Sequence, residues 1–210
     1  MNRKIIHLAV GKPKEYNWNN KKALSSIGKS AVKAIEVKKT GIVGDEVADH
    51  KYHGGPDRVV CLYPFEHYAY WEEVLPNKLI LPAFGENITA AGMTEEQVCI
   101  GDIYQIGSTI LQITQGRIPC VTISNFNHET RLLKKVIETT QTGYFFRVLE
   151  EGTIQFDSEI TLLEKHPKEI SVSFATQILF HHNEDKASIE KILTVDALAE
   201  EWRNRLLKLL

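Results

Sequence analysis

The run Thr114-Gln115-Gly116-Arg117-Ile118-Pro119-Cys120 holds the most reactive combination of residue types in the 210-residue chain. An apolar stretch ends there in a loop broken by glycine and proline, and loops at strand ends are where reactive groups become exposed. An arginine three residues before a cysteine favours thiolate over thiol, and the thiolate is the form that attacks electrophiles or ligates metals. Pro119 fixes φ and keeps the loop from continuing a sheet. Taken alone, Cys120 has a plainer default as small buried core filler, which is what free cysteines usually are.

A second polar segment, His50-Lys51-Tyr52-His53-Gly54-Gly55-Pro56-Asp57-Arg58, stands directly before an apolar run. Gly54 and Gly55 let the backbone approach a ligand, their amides can form an anion-binding nest, and Arg58 can fork onto phosphate or carboxylate. The same composition without a ligand is an ordinary turn, and that is the default. Gly28-Lys29-Ser30 has the outline of a phosphate loop, but the GxxxxGK[ST] spacing is absent and a strand follows instead of a helix, which excludes an NTPase of that type. Phe84-Gly85-Glu86-Asn87 is a glycine turn whose two polar groups either contact a ligand or simply join two elements. Cys61 and Cys99 lie in apolar surroundings and are expected to be buried. His181 and His182 would point to different helix faces and are expected at the surface.

These segments are carried by a mainly β chain with helices. Apolar runs rich in β-branched residues predict strands over 5–10, 31–37, 59–63, 103–106, 109–114, 144–149 and 160–163. Gly107-Ser108 suits a two-residue hairpin turn. A helix is expected over 64–75, opened by Pro64 and stopped by Pro76, and a second over 128–138 on the stripe Leu132, Leu133, Val136, Ile137. After Lys165-His166-Pro167 the apolar spacing becomes helical, with stripes at Phe174, Ile178 and Leu179, at Ile189, Ile192 and Leu193, and at Leu198, Trp202, Leu206 and Leu209. Thr194 or Asp196 is the expected cap of the last of these helices. The expected division is one domain over 1–165 and a small helical extension over 166–210.

With 25 lysines and arginines against 27 aspartates and glutamates, the formal charge of -2 gives no broad basic surface for a nucleic acid polymer or an anionic membrane. The early apolar stretch over 5–10, interrupted by His7, is far short of the roughly 20 residues a membrane span needs and lacks a signal-peptide pattern, so a cytoplasmic location is expected. Three widely spaced cysteines fit neither a disulfide framework nor a CxxC zinc site.

Taken in order, the segments resemble the MOSC family, named for the C-terminal domain of molybdenum cofactor sulfurases, and in particular its YiiM-type bacterial branch. The resemblance is carried by Lys29-Ser30-Ala31-Val32, by Gly41-Ile42-Val43-Gly44-Asp45 with Ala48-Asp49, and by His53-Gly54-Gly55-Pro56-Asp57-Arg58. It continues through Tyr63-Pro64 with Glu66-His67-Tyr68 and Tyr70-Trp71, then Pro82-Ala83-Phe84-Gly85-Glu86-Asn87 and Gly101-Asp102. Gln115 with Arg117, Pro119-Cys120 and Thr142-Gly143 close the series. Position 116, commonly proline in the branch, is glycine here, which implies a less rigid loop and leaves the pose of Arg117 open.

The resemblance implies a β-barrel-like MOSC domain with a three-helix extension and a molybdenum cofactor. Cys120 matches a cysteine that ligates the metal in related eukaryotic amidoxime-reducing proteins, and a soft thiolate suits a metal already held by a dithiolene. By the same carry-over, Lys29, Ser30, Arg58, Asn87 and Arg117 would line the cofactor pocket. The cationic ones would neutralise the pterin phosphate, and Gly54 and Gly55 would allow close backbone approach. The implied activity is reduction of N-hydroxylated compounds, such as N-hydroxylated purine bases or amidoximes, to amines or amidines. No flavin, haem or iron–sulfur motif accompanies it, so a separate reductase would supply the electrons. His53 and Asp45 are the candidates for proton donor, because both sit in matched polar segments. The alternative is a non-catalytic module that holds the cofactor or carries sulfur as a persulfide on Cys120. Joint retention of lysine, arginine and cysteine argues against a fold that has lost its cofactor. The apolar stripes of the tail require burial against something: the pocket, a second copy in a homodimer, or the reductase.

Overall fold

Alternating and continuous apolar runs build most of the chain into sheet. In the computed structural model, residues 3–49 and 53–210 are described, and His50, Lys51 and Tyr52, which open the second polar segment, lie outside the described residues. The N-terminal half contains β1 (Lys4–Val10), the hairpin of β2 (Lys14–Trp18) and β3 (Lys21–Ser25), β4 (Ser30–Ala31), β5 (Ala34–Lys38) and β6 (Gly41–Ile42). Then come β7 (Val60–Pro64), α1 (Glu66–Val74), β8 (Ile88–Ala91), β9 (Ile103–Ile106) and β10 (Thr109–Gly116). After β10 follow α2 (Thr122–Phe126), α3 (Leu132–Thr139), β11 (Tyr144–Glu150), β12 (Gly152–Gln155) and β13 (Ile160–Glu164). The tail is α4 (Val172–His181), α5 (Lys186–Leu193) and α6 (Glu200–Leu207).

Eight strands form one half-barrel sheet in the order β13-β9-β10-β11-β7-β8-β1-β4, flanked by a three-stranded sheet β12-β5-β6 and the separate β2-β3 hairpin. Only the β7–β8 pairing of the large sheet is parallel. β7 is buried along its whole length, as a strand covered on both faces must be, and its sequence is accordingly a near-continuous apolar run. One apolar cluster extends from Ile5, Leu8 and Ile113 of the sheet to Ile178, Ile192 and Trp202 of the tail. The stripes of the tail are thus buried against the chain's own sheet. A second cluster, with Tyr63, Trp71, Phe84 and Leu132, fills the space beneath α1 and α3. Among the described residues no helix is long and apolar enough to cross a membrane.

The expected strands over 5–10, 59–63, 103–106, 109–114, 144–149 and 160–163 correspond to β1, β7, β9, β10, β11 and β13, and Gly107, at φ 60°, turns β9 into β10. The expected strand over 31–37 is two pieces. β4 pairs with β1 while β5 leaves for the small sheet, so the chain changes sheets at Val32 and Lys33. Pro64 does not open a helix: it ends β7 opposite Ala90, and α1 begins two residues later. The helix expected over 128–138 starts only at Leu132, because His128 takes a left-handed φ of 53° that separates α2 from α3. Strands β2, β3, β6, β8 and β12 escape the sequence reading, since short or charged strands carry little apolar period.

Neither Thr194 nor Asp196 caps the last helix. Thr194 follows the end of α5, and Asp196 accepts from the His166 ring. The exposed N–H at the start of α6 is taken instead by Asp57, whose Oδ2 accepts from Glu200 N at 3.1 Å. Asp57 Oδ1 also meets Arg147 at 2.8 Å, and Arg147 donates to Ala197 O at 3.0 Å. The turn before β7 and the tail are therefore joined by charge as well as by apolar packing.

Candidate functional site

The C-terminal end of β10 delivers Gln115, Arg117 and Cys120 to the wall of a cavity of about 710 Å³, a size that suits a bound small molecule. The same wall includes Lys29, His53, Gly54, Arg58 and Asn87. Of the pocket residues that the resemblance implies, Ser30 and Gly55 are not in the lining. Ser30 is exposed in β4, paired with Val10, and Gly55 O accepts from Arg58 N within its turn. Lys29 is brought in because β4 pairs on β1, and Asn87 because it sits at the start of β8 between β7 and β1.

Asn87, 3% exposed, is committed to the frame. Its Oδ1 accepts from Cys61 N at 3.1 Å, and its Nδ2 donates to Asp45 Oδ2 at 3.1 Å and Ala9 O at 3.3 Å. Asp45 in turn accepts from Gly11 N at 2.7 Å and holds the Lys29 ammonium in a short ion pair. With both oxygens so engaged, Asp45 positions the Lys29 ammonium. The Phe84–Asn87 turn is held by Glu86, fully buried, which accepts from Tyr68 OH, Thr89 Oγ1 and Phe84 N. That fixes the Phe84 carbonyl, to which Arg117 Nη1 donates, while Arg117 N donates to Gly143 O at 2.9 Å. Gly116 leaves the pose of Arg117 defined after all, because these two anchors replace the stiffness of a proline.

Among the described residues four cations and four carboxylates share the lining, and their pairing is uneven. Lys29 is paired with Asp45, and Glu46 with Lys12 outside the lining. Arg58 donates through Nε to Gly54 O at 2.8 Å and through Nη1 to Glu201 Oε2 at 2.6 Å. Glu201 Oε1 lies 3.2 Å from Arg205. Among the described residues no carboxylate pairs with Arg117, so its charge is the one most available to an incoming anion. His53, exposed in part, is held below the ordinary histidine range by desolvation, then by the positive charges of Arg117 and Arg58. It is therefore neutral near pH 7, which makes it a poor source of a proton there.

Cys120 is half-buried, whereas Cys61, also in the lining, is buried and its thiol is pushed up to about 11 by that burial. Cys99 is buried too, and His181 Nε2 donates to Ile137 O at 2.8 Å rather than joining a metal cluster. Gln115 is 1% exposed, its Oε1 has no hydrogen-bond partner among the described residues, and it lines the cavity. A buried unpartnered amide oxygen is costly unless something donates to it. Glu201 and Arg205 of the tail were not singled out in the sequence, and only the docking of α6 puts them at the cavity.

The chain matches the MOSC domain over residues 49–161 and the YiiM-like, 3-alpha helix domain over residues 170–210. It belongs to the MOSC family, in the YiiM-type branch with C-terminal helices. It is 42% identical to YflK of Bacillus subtilis (strain 168) over 205 residues, covering 97% of this chain and 93% of that protein. The crystal structure of YiiM from Geobacillus stearothermophilus superposes with a TM-score of 0.84 at 32% identity, covering 99% of this chain and 98% of that one. A protein of Gibberella moniliformis (strain M3125 / FGSC 7600) named Reductase is 39% identical over 134 residues, 61% of this chain and 24% of that protein. The MOSC family is associated with molybdenum cofactor binding.

Proposed function

We propose that the protein is a molybdenum-cofactor-dependent reductase of N-hydroxylated compounds, such as N-hydroxylated purine bases or amidoximes. The observation that carries this reading is the convergence of the Cys120 thiol, the carboxylate-free Arg117 and the unpartnered Gln115 Oε1 on one cavity. Cys120 would ligate the metal, Arg117 and Lys29 would neutralise the phosphate of the pterin, and Gln115 Oε1 would accept from a pterin N–H. Among the described residues no three histidines, cysteines or acids converge, so a metal on Cys120 must bring its other ligands with it, as one held by a dithiolene does. When bound, the cofactor supplies two-electron chemistry that, with two protons, converts N–OH to N–H and water.

This chain's own residues orient and enclose. Gly54, at φ 77°, offers its carbonyl to Arg58 and keeps the guanidinium on the cavity side of the turn. Neutral His53 can accept a hydrogen bond from the N–OH group at the rim, and Asp45 keeps Lys29 extended. Electrons would come from a separate reductase.

The test is molybdenum content per chain for wild type and Cys120→Ala, purified from a host that makes the cofactor. Near-stoichiometric metal in the wild type and its loss in the variant support the reading and make reductase assays the next step. Absence of molybdenum from both sinks it, and a persulfide on Cys120 in the same samples would establish the sulfur-carrier alternative.

A further inference from the structure

Helix α6 reaches the cavity with Trp202 packed close against Gly116. A Cβ at Gly116 would stand 2.5 Å from Thr176 Oγ1 and 3.0 Å from the Trp202 ring, both on buried side chains of the tail. Trp202, 0% exposed, is thereby seated on the strand that carries Arg117, and its neighbour Glu201 is turned to the cavity with Arg205 one helical turn on. Glu201 places one carboxylate oxygen on Arg58 at 2.6 Å and the other at 3.2 Å from Arg205. Two guanidinium groups closing on one carboxylate is the geometry by which proteins bind anions, and here the anion belongs to the protein.

The pair is not what docks the helix. Asp57 caps Glu200 N, Thr114 O accepts from Ala199 N at 3.1 Å, and Trp202 and Leu206 are buried in the main core. Glu201 retains 31% side-chain exposure and Arg205 52%, so both remain in reach of a ligand in the cavity.

We propose that Glu201 sets the charge selectivity of the cavity. It fills the position between Arg58 and Arg205, so that the site takes neutral N-hydroxylated substrates and turns away phosphorylated or carboxylated ones. The substrate class named here rests on the reductase reading, but the anion position does not. Glu201→Gln keeps the shape and removes one negative charge from between the two arginines.

The test is calorimetric binding of inorganic phosphate to the full chain as wild type, Glu201→Gln, and Glu201→Gln with Arg205→Gln. A charge removed at about 6 Å, in surroundings between protein-like and aqueous screening, corresponds to tenfold to hundredfold tighter binding in the single variant. Adding Arg205→Gln should abolish most of that gain. Unchanged affinity in Glu201→Gln, with an unchanged melting temperature, overturns the proposal, as does a gain that Arg205→Gln leaves intact. In loaded protein, Glu201→Gln should raise kcat/KM for an N-hydroxylated nucleoside monophosphate relative to its free base by a similar factor. Phosphate tightening in chains that hold no molybdenum would leave the anion position standing and remove the reductase reading alone.

Discussion

Asn87 is the residue whose role the structure redefines most sharply, and its replacement by alanine tests that role. The amide makes three hydrogen bonds to the frame: Cys61 N, Ala9 O and Asp45 Oδ2. Alanine leaves the buried Cys61 amide without its acceptor, a loss of roughly 1–3 kcal/mol, and removes two further bonds worth about 1 kcal/mol each or less. The sum is about 3 kcal/mol. For a chain of 210 residues, where about 1 kcal/mol shifts the melting temperature by roughly 2–4 °C, Tm should fall by about 6–12 °C. Circular dichroism melts give Tm directly, and urea titration should show a lower midpoint at unchanged slope. Molybdenum content of the variant, measured at a temperature where it stays folded, should remain near that of wild type. A Tm loss below about 2 °C together with loss of metal would refute the reasoning and make Asn87 a cofactor contact rather than a beam.

Three further outcomes follow from the same contacts. Asp57→Ala removes the cap of α6 and the partner of Arg147, and should cost about 2 kcal/mol; hydrogen exchange should show the amides at the start of α6 losing protection before those of β10. If both exchange alike, the turn and the tail are not joined through Asp57. Gly116→Ala should destabilise by roughly 1–3 kcal/mol through collision with Thr176 and Trp202, and a thermal melt equal to wild type would show that α6 yields freely. The His53 ring should titrate in NMR spectra below the usual value of about 6.5, and Arg117→Gln should move it upward. Because the unfolded chain binds this proton more readily, the contribution of His53 to stability is full above the unfolded pKa and is lost as pH falls from there to the folded value. A midpoint at or above about 6.5 in the wild type contradicts the assignment of Arg117 and Arg58 as its neighbours.

Much of the frame was legible along the chain because it is written in local period. Runs such as Val60 to Tyr63 and Leu111 to Ile113 bury alternately or continuously, and the stripe of Trp202 and Leu206 repeats at helical spacing, so strand, helix and the buried face follow from residue type alone. The ordered motifs identified the family, and Cys120, Arg117, Lys29, Arg58 and Asn87 do meet at one cavity. What each does there was decided by tertiary pairing. Asn87 and Asp45 are polar groups whose partners lie 16 to 78 residues away, so nothing near them in sequence distinguishes a ligand contact from a structural brace. Likewise, the cap of α6 comes from Asp57, 143 residues upstream, rather than from Thr194 or Asp196 nearby. Glu201 and Arg205 were not singled out in the sequence, and it is the packing of Trp202 against Gly116 of β10 that brings them to the cavity. Local chemistry specifies elements; which charges face each other across a cavity depends on how those elements dock, because a hydrogen bond or ion pair is set by distance in space and not by separation along the chain.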